Sequence, residues 1–425
     1  MIRSIASCSR QRRCFIGREG QVFDDVNVQD GIHPQRIFEG VFAGKTTSAA
    51  IAANGELFFW GDVCMGIYPG LLWDTGSVQG SLLSDDDQLY VERYTPPVCF
   101  SLANFGNSPV RTVSLGDCHV LVVTEAGCLF TGGFKGDGRL GRGYMGEHVV
   151  GTSPLTHVAV ADAHVTDVAA GINSSCFVTK DGRLFTFGAN SEGECALGDV
   201  HTRWSPEPVP GFGAGEAKAA RASMHMHIAV LDVNCLLYTA GENSFGELGT
   251  GDREPRLLLS HVESCAMYMV VCGLMHTLAL DLIGCVWVCG SNHSDTVGVD
   301  SVCVLQPVEG LSDVVFVTAG VRICMVVDSV GTAFEWGSPR SRASEELWWP
   351  GSTDARVIHT YVPEPRAVAV PARVGRYNLR LGPLFALALA MGGHKRLGEK
   401  SWLYMPSTDV LRQIADAYVV RDPAN

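Results

Sequence analysis

A glycine repeated at fixed intervals constrains this chain more than any other feature. From Gly273 to Gly290 it reads GLMHTLALDLIGCVWVCG. A histidine stands three residues after the first glycine, a second glycine at eleven, an aromatic at fourteen and a third glycine at seventeen. Two short apolar runs, each closed by glycine, read as a β-hairpin with a tight turn. One hairpin cannot bury its own apolar face, so a fold requires that the unit repeat.

It does repeat. The template fits Gly44/Gly55/Gly61, Gly116/Gly127/Gly133, Gly171/Gly182/Gly188, Met224/Cys235/Gly241, Gly273/Gly284/Gly290 and Gly320/Gly331/Gly337. The aromatic slot holds Phe58, Phe130, Phe185, Tyr238, Trp287 and Phe334, and each follows an apolar residue. Three units run on into glycine-rich turns: GFKGDGRLGRG, GANSEGECALGD and GENSFGELGTGD. This extended pattern resembles the repeat of the regulator of chromosome condensation family and covers residues from about 12 to about 400. The resemblance implies an all-β fold, a seven-bladed β-propeller. The 48 glycines among 425 residues exceed the roughly 7% average, as turns between many short strands require.

A partial unit closes each end. Residues 15–22 look like the degraded end of a unit, and Gly382 and Gly393 keep the eleven spacing without a third glycine. A ring closed by the N-terminal strand region, leaving no open sheet edge, is the expected architecture. The domain plan is a basic segment over 1–13, a propeller over 14–400, and a helical extension over 401–425. Ser407 is the candidate N-cap of that helix, with Val410, Leu411, Ile414 and Tyr418 at helical spacing. Successive units start 47–55 residues apart except for intervals of 72 and 62, which place insertions at about 62–98 and 338–365. Such insertions map to loops on one face, often the binding face.

The net charge of −13 argues against direct nucleic-acid binding, and no apolar run reaches the ~18 residues of a membrane span. A soluble chain is expected. The fifteen cysteines form no Cys-x-x-Cys pair and read as buried free thiols. The first thirteen residues hold four arginines and no acid. They read either as a mitochondrial presequence or as a basic tail; cytoplasm and cilium are the other locations considered.

Chemistry is sparse. His119, His227 and His276 share one slot of three units and read as structural imidazoles. His225 and His227 alternate in MHMH but lack a third metal ligand, and Asp85, Asp86 and Asp87 lack the glycine and distal glutamate of a calcium loop. No phosphate cradle or nucleophile elbow is present, so neither metal nor cofactor is expected. Two functions follow. One is a non-catalytic platform for other proteins within a larger assembly, binding through Trp73, Asp85, Asp86, Asp87, Trp348 and Trp349 in the insertions. The other, implied by the resemblance, is guanine-nucleotide exchange on a small GTPase.

Overall fold

The structure is a computed structural model that describes residues 5–7, 13–16, 22–24, 36–44, 47–62, 94–143, 152–160, 163–213, 218–291, 301–320, 323–329, 333–337 and 366–367. Trp73, Asp85, Asp86, Asp87, Gly331, Trp348, Trp349, Gly382, Gly393 and the helix expected over 401–425 lie outside these residues. Among the described residues, no helix is long and apolar enough to cross a membrane.

Each repeat unit becomes the second and third strands of an antiparallel four-stranded sheet. Blade one is β4 (Phe38–Ala43), β5 (Thr47–Ala52), β6 (Leu57–Asp62) and β7 (Tyr94–Phe100). Blade two is β8 (Val110–Leu115), β9 (His119–Thr124), β10 (Leu129–Phe134) and β11 (Thr152–Val158). Blade three is β12 (Val165–Ala170), β13 (Ser174–Thr179), β14 (Leu184–Gly188) and β15 (Arg203–Pro208). Blade four is β16 (Ala219–Met224), β17 (His227–Asp232), β18 (Leu237–Gly241) and β19 (Arg256–His261). Blade five is β20 (Met267–Cys272), β21 (His276–Asp281), β22 (Val286–Gly290) and β23 (Val302–Pro307). Blade six is β24 (Val314–Ala319), β25 (Ile323–Asp328), β26 (Ala333–Gly337) and β27 (Arg366–Ala367).

First strands neighbour first strands from β4 through β24, so they surround the axis, and the fourth strands form the rim. Every residue of β5, β9, β13, β17 and β21 is buried. A second strand lies between two sheets, so both its faces are apolar and its sequence does not alternate. The core is accordingly a set of layers, one at each seam between blades. Ile51, Leu57, Phe59, Val110 and Val113 fill the first seam; Val178, Leu184, Ile228 and Val230 fill the third. Each such side chain contributes roughly 1.5–3 kcal/mol by leaving water.

The glycine at eleven stitches the seams. Gly55, Gly127, Gly182 and Gly284 have φ of +78 to +86°, which favours glycine in the hairpin turn. A Cβ on Gly55 would stand 2.4 Å from the Cβ of Pro109 in the next blade. Freed of that bulk, each turn carbonyl accepts an N–H from the following first strand. Val110 donates to Gly55 (3.0 Å), Val165 to Gly127 (3.0 Å), Ala219 to Gly182 (3.0 Å) and Val314 to Gly284 (3.1 Å). Cys235 keeps the same bond, from Met267 (2.9 Å), and the same left-handed backbone, with φ +64°. The substituted unit therefore folds like the others.

The third glycine corrects the sequence reading in two units. Gly61 and Gly133 were expected to close their apolar runs, but both lie inside a strand: β6 continues to Asp62 and β10 to Phe134. The reason is the fourth strand of each blade, which carries the ladder one residue further. Asp62 pairs with Tyr94, and Phe134 pairs with Thr152. In the other four units the third strand does end at its glycine, at Gly188, Gly241, Gly290 and Gly337. The register with the fourth strand shifts at Gly61 and Gly133 as it does at Gly188, Gly241 and Gly290, so this bulge is common to the units and the extra pair alone carries β6 and β10 further. At Gly133 φ is +112°, and a Cβ there would stand 2.5 Å from the carbonyl oxygen of Cys118.

The N-terminus departs from the expected half unit. Its β1 (Ile5–Ser7), β2 (Arg13–Ile16) and β3 (Val22–Asp24) form a three-stranded sheet of their own. β1 and β2 run beside β4, and β1 also runs beside β24 and β25 of blade six. This sheet thus touches both the first and last blades. β1 falls within the segment 1–13 that reads as a tail or presequence; no glycine ladder marks it, because its turns lack the repeat spacing. Blade one buries Phe38, Phe58 and Trp60 on the face away from blade two.

Two outcomes follow from these contacts. Deleting residues 1–24 should lower the melting temperature by several degrees and promote aggregation, because β4 and β24 lose a neighbour; an unchanged melting curve would show that the sheet is dispensable. Cys235→Gly should gain up to about 1 kcal/mol by relieving the left-handed cysteine, whereas Gly55→Ala should lose about 2 kcal/mol or more. Paired thermal melts measure both.

Candidate functional site

In each antiparallel blade, the turn from first to second strand and the link from third to fourth strand lie at one end. The Gly-x-x-His slots and the glycine-rich turns therefore share that end. The segments that join β6 to β7 and β26 to β27 leave and return at that end as well.

At this end the histidines bridge blades. His119 is fully buried, and its Nε2 lies 2.8 Å from Oγ of Ser175 in blade three. Ser175 gives its only hydroxyl proton to the carbonyl of Arg139 (2.9 Å), so it accepts from the imidazole. His227 repeats the arrangement toward Thr277 of blade five (2.7 Å), whose hydroxyl donates to the carbonyl of Glu247 (2.7 Å). Both rings thus carry their proton on Nε2. His276 meets the Cys324 thiol at 3.3 Å. The first glycine explains the spacing: a Cβ on Gly273 would come within 2.1 Å of the His276 ring, and one on Gly116 within 2.5 Å of the His119 ring.

Burial holds these histidines neutral. Desolvation lowers His119 and His227 to about 3 and His276 to about 4, helped by Arg139 at His119 and by His225 at the other two. Among the described residues, no three histidine, cysteine or carboxylate side chains are placed together to hold an ion.

The glycine-rich turns put a charged residue in one equivalent slot of three adjacent blades: Arg139, Glu194 and Glu247. Arg139 is satisfied locally by Asp137 (2.7 Å) and the carbonyls of Gly136 and Ile172 (3.0 and 3.3 Å), with its guanidinium 5.0 Å from the Phe134 ring centroid. Glu194 Oε2 accepts the Glu192 N–H (2.9 Å), and Glu247 Oε2 accepts the Phe245 N–H (2.8 Å). Burial raises both carboxyls. Beside them, Glu192 is raised first by its hydrogen-bonding contact with Glu242 of the next blade.

Two recurring devices went unrecognised in the sequence. Asn190 and Asn243 clamp their turns, each taking an N–H (from Cys195, 2.8 Å; from Leu248, 3.0 Å) and donating to a carbonyl further on (Asp199, 2.8 Å; Glu254, 2.9 Å). Three residues before the hairpin glycine or its substitute, Thr124, Thr179, Asp232 and Asp281 accept the N–H four residues on. The shared signal was a short polar residue in a constant slot of each unit.

The thiols divide. Cys176, Cys195, Cys272, Cys289 and Cys324 are buried, and burial raises Cys195 and Cys272 to about 12, which leaves them unreactive. Cys99 and Cys265 depart from the expectation and are exposed. Elsewhere, first strands carry the polar stitches: Ser114 accepts from Ala170 (2.9 Å), Asp167 from Ala222 (3.2 Å) and Ser223 from Cys272 (2.9 Å). Desolvation raises Asp167 to about 6 against the pull of Arg221.

Models of the regulator of chromosome condensation (RCC1) repeat match residues 165–194, 181–229 and 236–280. Residues 165–229 and 236–280 thus carry regulator of chromosome condensation repeats, on a β-propeller fold. It is 30% identical over 236 residues to the ultraviolet-B receptor UVR8 of Arabidopsis thaliana, covering 54% of this chain and 53% of that protein. It is 26% identical over 330 residues to the mitochondrial RCC1 domain-containing protein RUG3 of the same plant, covering 70% and 69%. A secretion-regulating guanine nucleotide exchange factor of Bos taurus is 32% identical over 189 residues, 43% of this chain and 40% of that protein. The chain spans about half the length of UVR8 and a smaller share of the exchange factor. Among solved structures, human WBSCR16 superposes with a TM-score of 0.60 at 17% identity, covering 75% of this chain and 79% of that one. Prp20p of Saccharomyces cerevisiae gives 0.59 at 19%, covering 75% and 80%. At these identities the superpositions establish the fold.

The buried histidines set an acid limit on stability. Their folded pKa values lie below the unfolded value of about 6.5, so their contribution is complete above that pH and is lost as pH falls toward 3. At pH 5 each costs about 2 kcal/mol. Raised carboxyls such as Asp167 act in the opposite sense between about pH 4 and 6. Melting temperatures at pH 7 and pH 5 should therefore fall steeply for the parent and less steeply for His119→Asn/His227→Asn, although that variant is weaker at pH 7.

Proposed function

We propose that this protein is an interaction platform, docking partner proteins on the end of the propeller that carries the Gly-x-x-His turns. The observation that carries this reading is connectivity: both long insertions link a third strand to a fourth, so both emerge at that end. Rigid blades hold loops from distant parts of the chain on one surface at no further ordering cost. The insertions bring Trp73, Trp348 and Trp349 as aromatic anchors and Asp85, Asp86 and Asp87 as attraction for a basic partner. Subunits of a larger protein assembly suit this chemistry.

A second reading is guanine-nucleotide exchange on a small GTPase. Its support is the 32% identity with the exchange factor of Bos taurus and the likeness to Prp20p, whose structure was described with its binding to Gsp1p and histones. Such catalysis means binding the nucleotide-free GTPase more tightly than its loaded forms. For location we favour the mitochondrion, from the arginine-rich first thirteen residues and the mitochondrial relative RUG3. Cleavage after residue 13 would remove β1, so an imported protein that keeps its N-terminal sheet keeps that segment too.

Replacing Trp348 and Trp349 together by alanine should abolish co-purification of partners and leave the melting temperature within a few degrees. A large fall in melting temperature would instead make these rings part of the core. Release of a fluorescent nucleotide from candidate GTPases, measured with catalytic amounts of the protein, separates the two readings: acceleration overturns a pure platform, and its absence beside a stoichiometric complex overturns exchange.

A further inference from the structure

We propose that Glu247 is a proton-operated latch between blades four and five: the seam is closed at its turn end while the carboxyl carries a proton, and loosens there when the carboxyl ionises. The latch belongs to the propeller itself and does not depend on what the platform binds.

Blade five closes over this side chain. Gly290 of β22 has φ +108°, and a Cβ built on it would stand 3.2 Å from the Cα of Glu247, so the turn after β18 packs against bare backbone. The Glu247 carbonyl accepts the Thr277 hydroxyl at 2.7 Å and the Cys289 thiol at 3.4 Å. These contacts leave Glu247 0% exposed. Its Oε2 accepts the Phe245 N–H at 2.8 Å, and its Oε1 has no hydrogen-bond donor.

No base offsets a charge at that place. None of the ion pairs among the described residues includes Glu247. On blade five, the titratable groups packed against its turn are Cys289 and His276. His227 of blade four lies across Thr277, and His225 acts on both imidazoles. Burial keeps the thiol protonated and His227 and His276 uncharged. Burial likewise raises the Glu247 carboxyl; on its own turn Glu242 adds to the rise, and Arg253 opposes it more weakly. A buried carboxylate with one donor and no paired cation is costly, and taking up a proton removes the charge.

The same slot in the neighbouring blades shows what the seam accommodates. In blade two it holds Arg139, which donates from its guanidinium to the carbonyl of Ile172 across the seam at 3.3 Å. A protonated Glu247 also offers a donor from this slot, whereas an ionised one offers none. In blade three, Glu194 keeps 7% of its surface exposed; of the two glutamates only Glu247 is sealed. Ionisation therefore favours an opened turn in which water reaches Oε1. The unfolded carboxyl titrates near about 4.3 and the folded one above it. The latch thus contributes fully below about pH 4 and is lost as pH rises through the folded value.

Amide hydrogen exchange of the full chain, followed by mass spectrometry from about pH 5 to about pH 8, tests the proposal. After correction for the intrinsic pH dependence of exchange, peptides spanning 242–252 should lose protection about fivefold or more relative to the blade-two turn at 134–143. Glu247→Gln keeps the acceptor for Phe245 and stays uncharged, so it should show no such loss. It should also melt level with the parent near about pH 5 and above it near about pH 8, the seam histidines being common to both proteins. Protection at 242–252 that does not change with pH in the parent, or that changes equally in Glu247→Gln, overturns the latch. If Glu247→Gln fails to fold, the ratio between the two turns in the parent decides by itself.

Discussion

Blades of this propeller approach so closely at their seams that several positions have no room for a Cβ, and the rest of the structure depends on that approach. The turn carbonyls of Gly55, Gly127, Gly182, Cys235 and Gly284 each reach the first strand of the next blade, and at Gly55, Gly127 and Gly182 a Cβ would come within 2.6 Å of that blade. Once the seam closes, the second strands are covered on both faces and their apolar runs leave water. Close packing and hydrogen bonding are thus a single event at each seam. The layers are separate, so each blade is stabilised by its neighbours and none stands alone.

The same closeness determines the electrostatics. A histidine seated over a glycine is desolvated as its blade docks, and that desolvation keeps it neutral while its Nε2–H finds an acceptor across the seam. Turns of adjacent blades meet over Gly241, where a Cβ would stand 3.2 Å from the Cα of Glu194.

Much of the fold was legible because a period survives local substitution. Met224 and Cys235 stand where other units have glycine, yet the eleven and six spacings identified their unit, and its strands β17 and β18 formed in register. Cys235 adopts the left-handed backbone its neighbours imposed. Strand ends were less legible. Gly61 and Gly133 look like stops, yet pairing with the fourth strand carries β6 and β10 past them. The N-terminal sheet lacks the glycine ladder, and what marks it is contact with β4 and β24. The turn clamps Asn190 and Asn243 escaped notice because asparagine in a glycine-rich turn reads as ordinary turn chemistry. Their role depends on which backbone groups the folded turn brings within reach.

By itself, the amino-acid sequence determined the repeat, the hairpin at each unit and the slot shared by His119, His227 and His276. These are consequences of local backbone preference and side-chain size, and they act over a few residues. Tertiary structure alone decided which residues meet across a seam: Ser175 beneath His119, Thr277 beneath His227. Those partners lie about fifty residues apart, and no local preference joins them. They meet because each blade can bury its apolar faces only against the next.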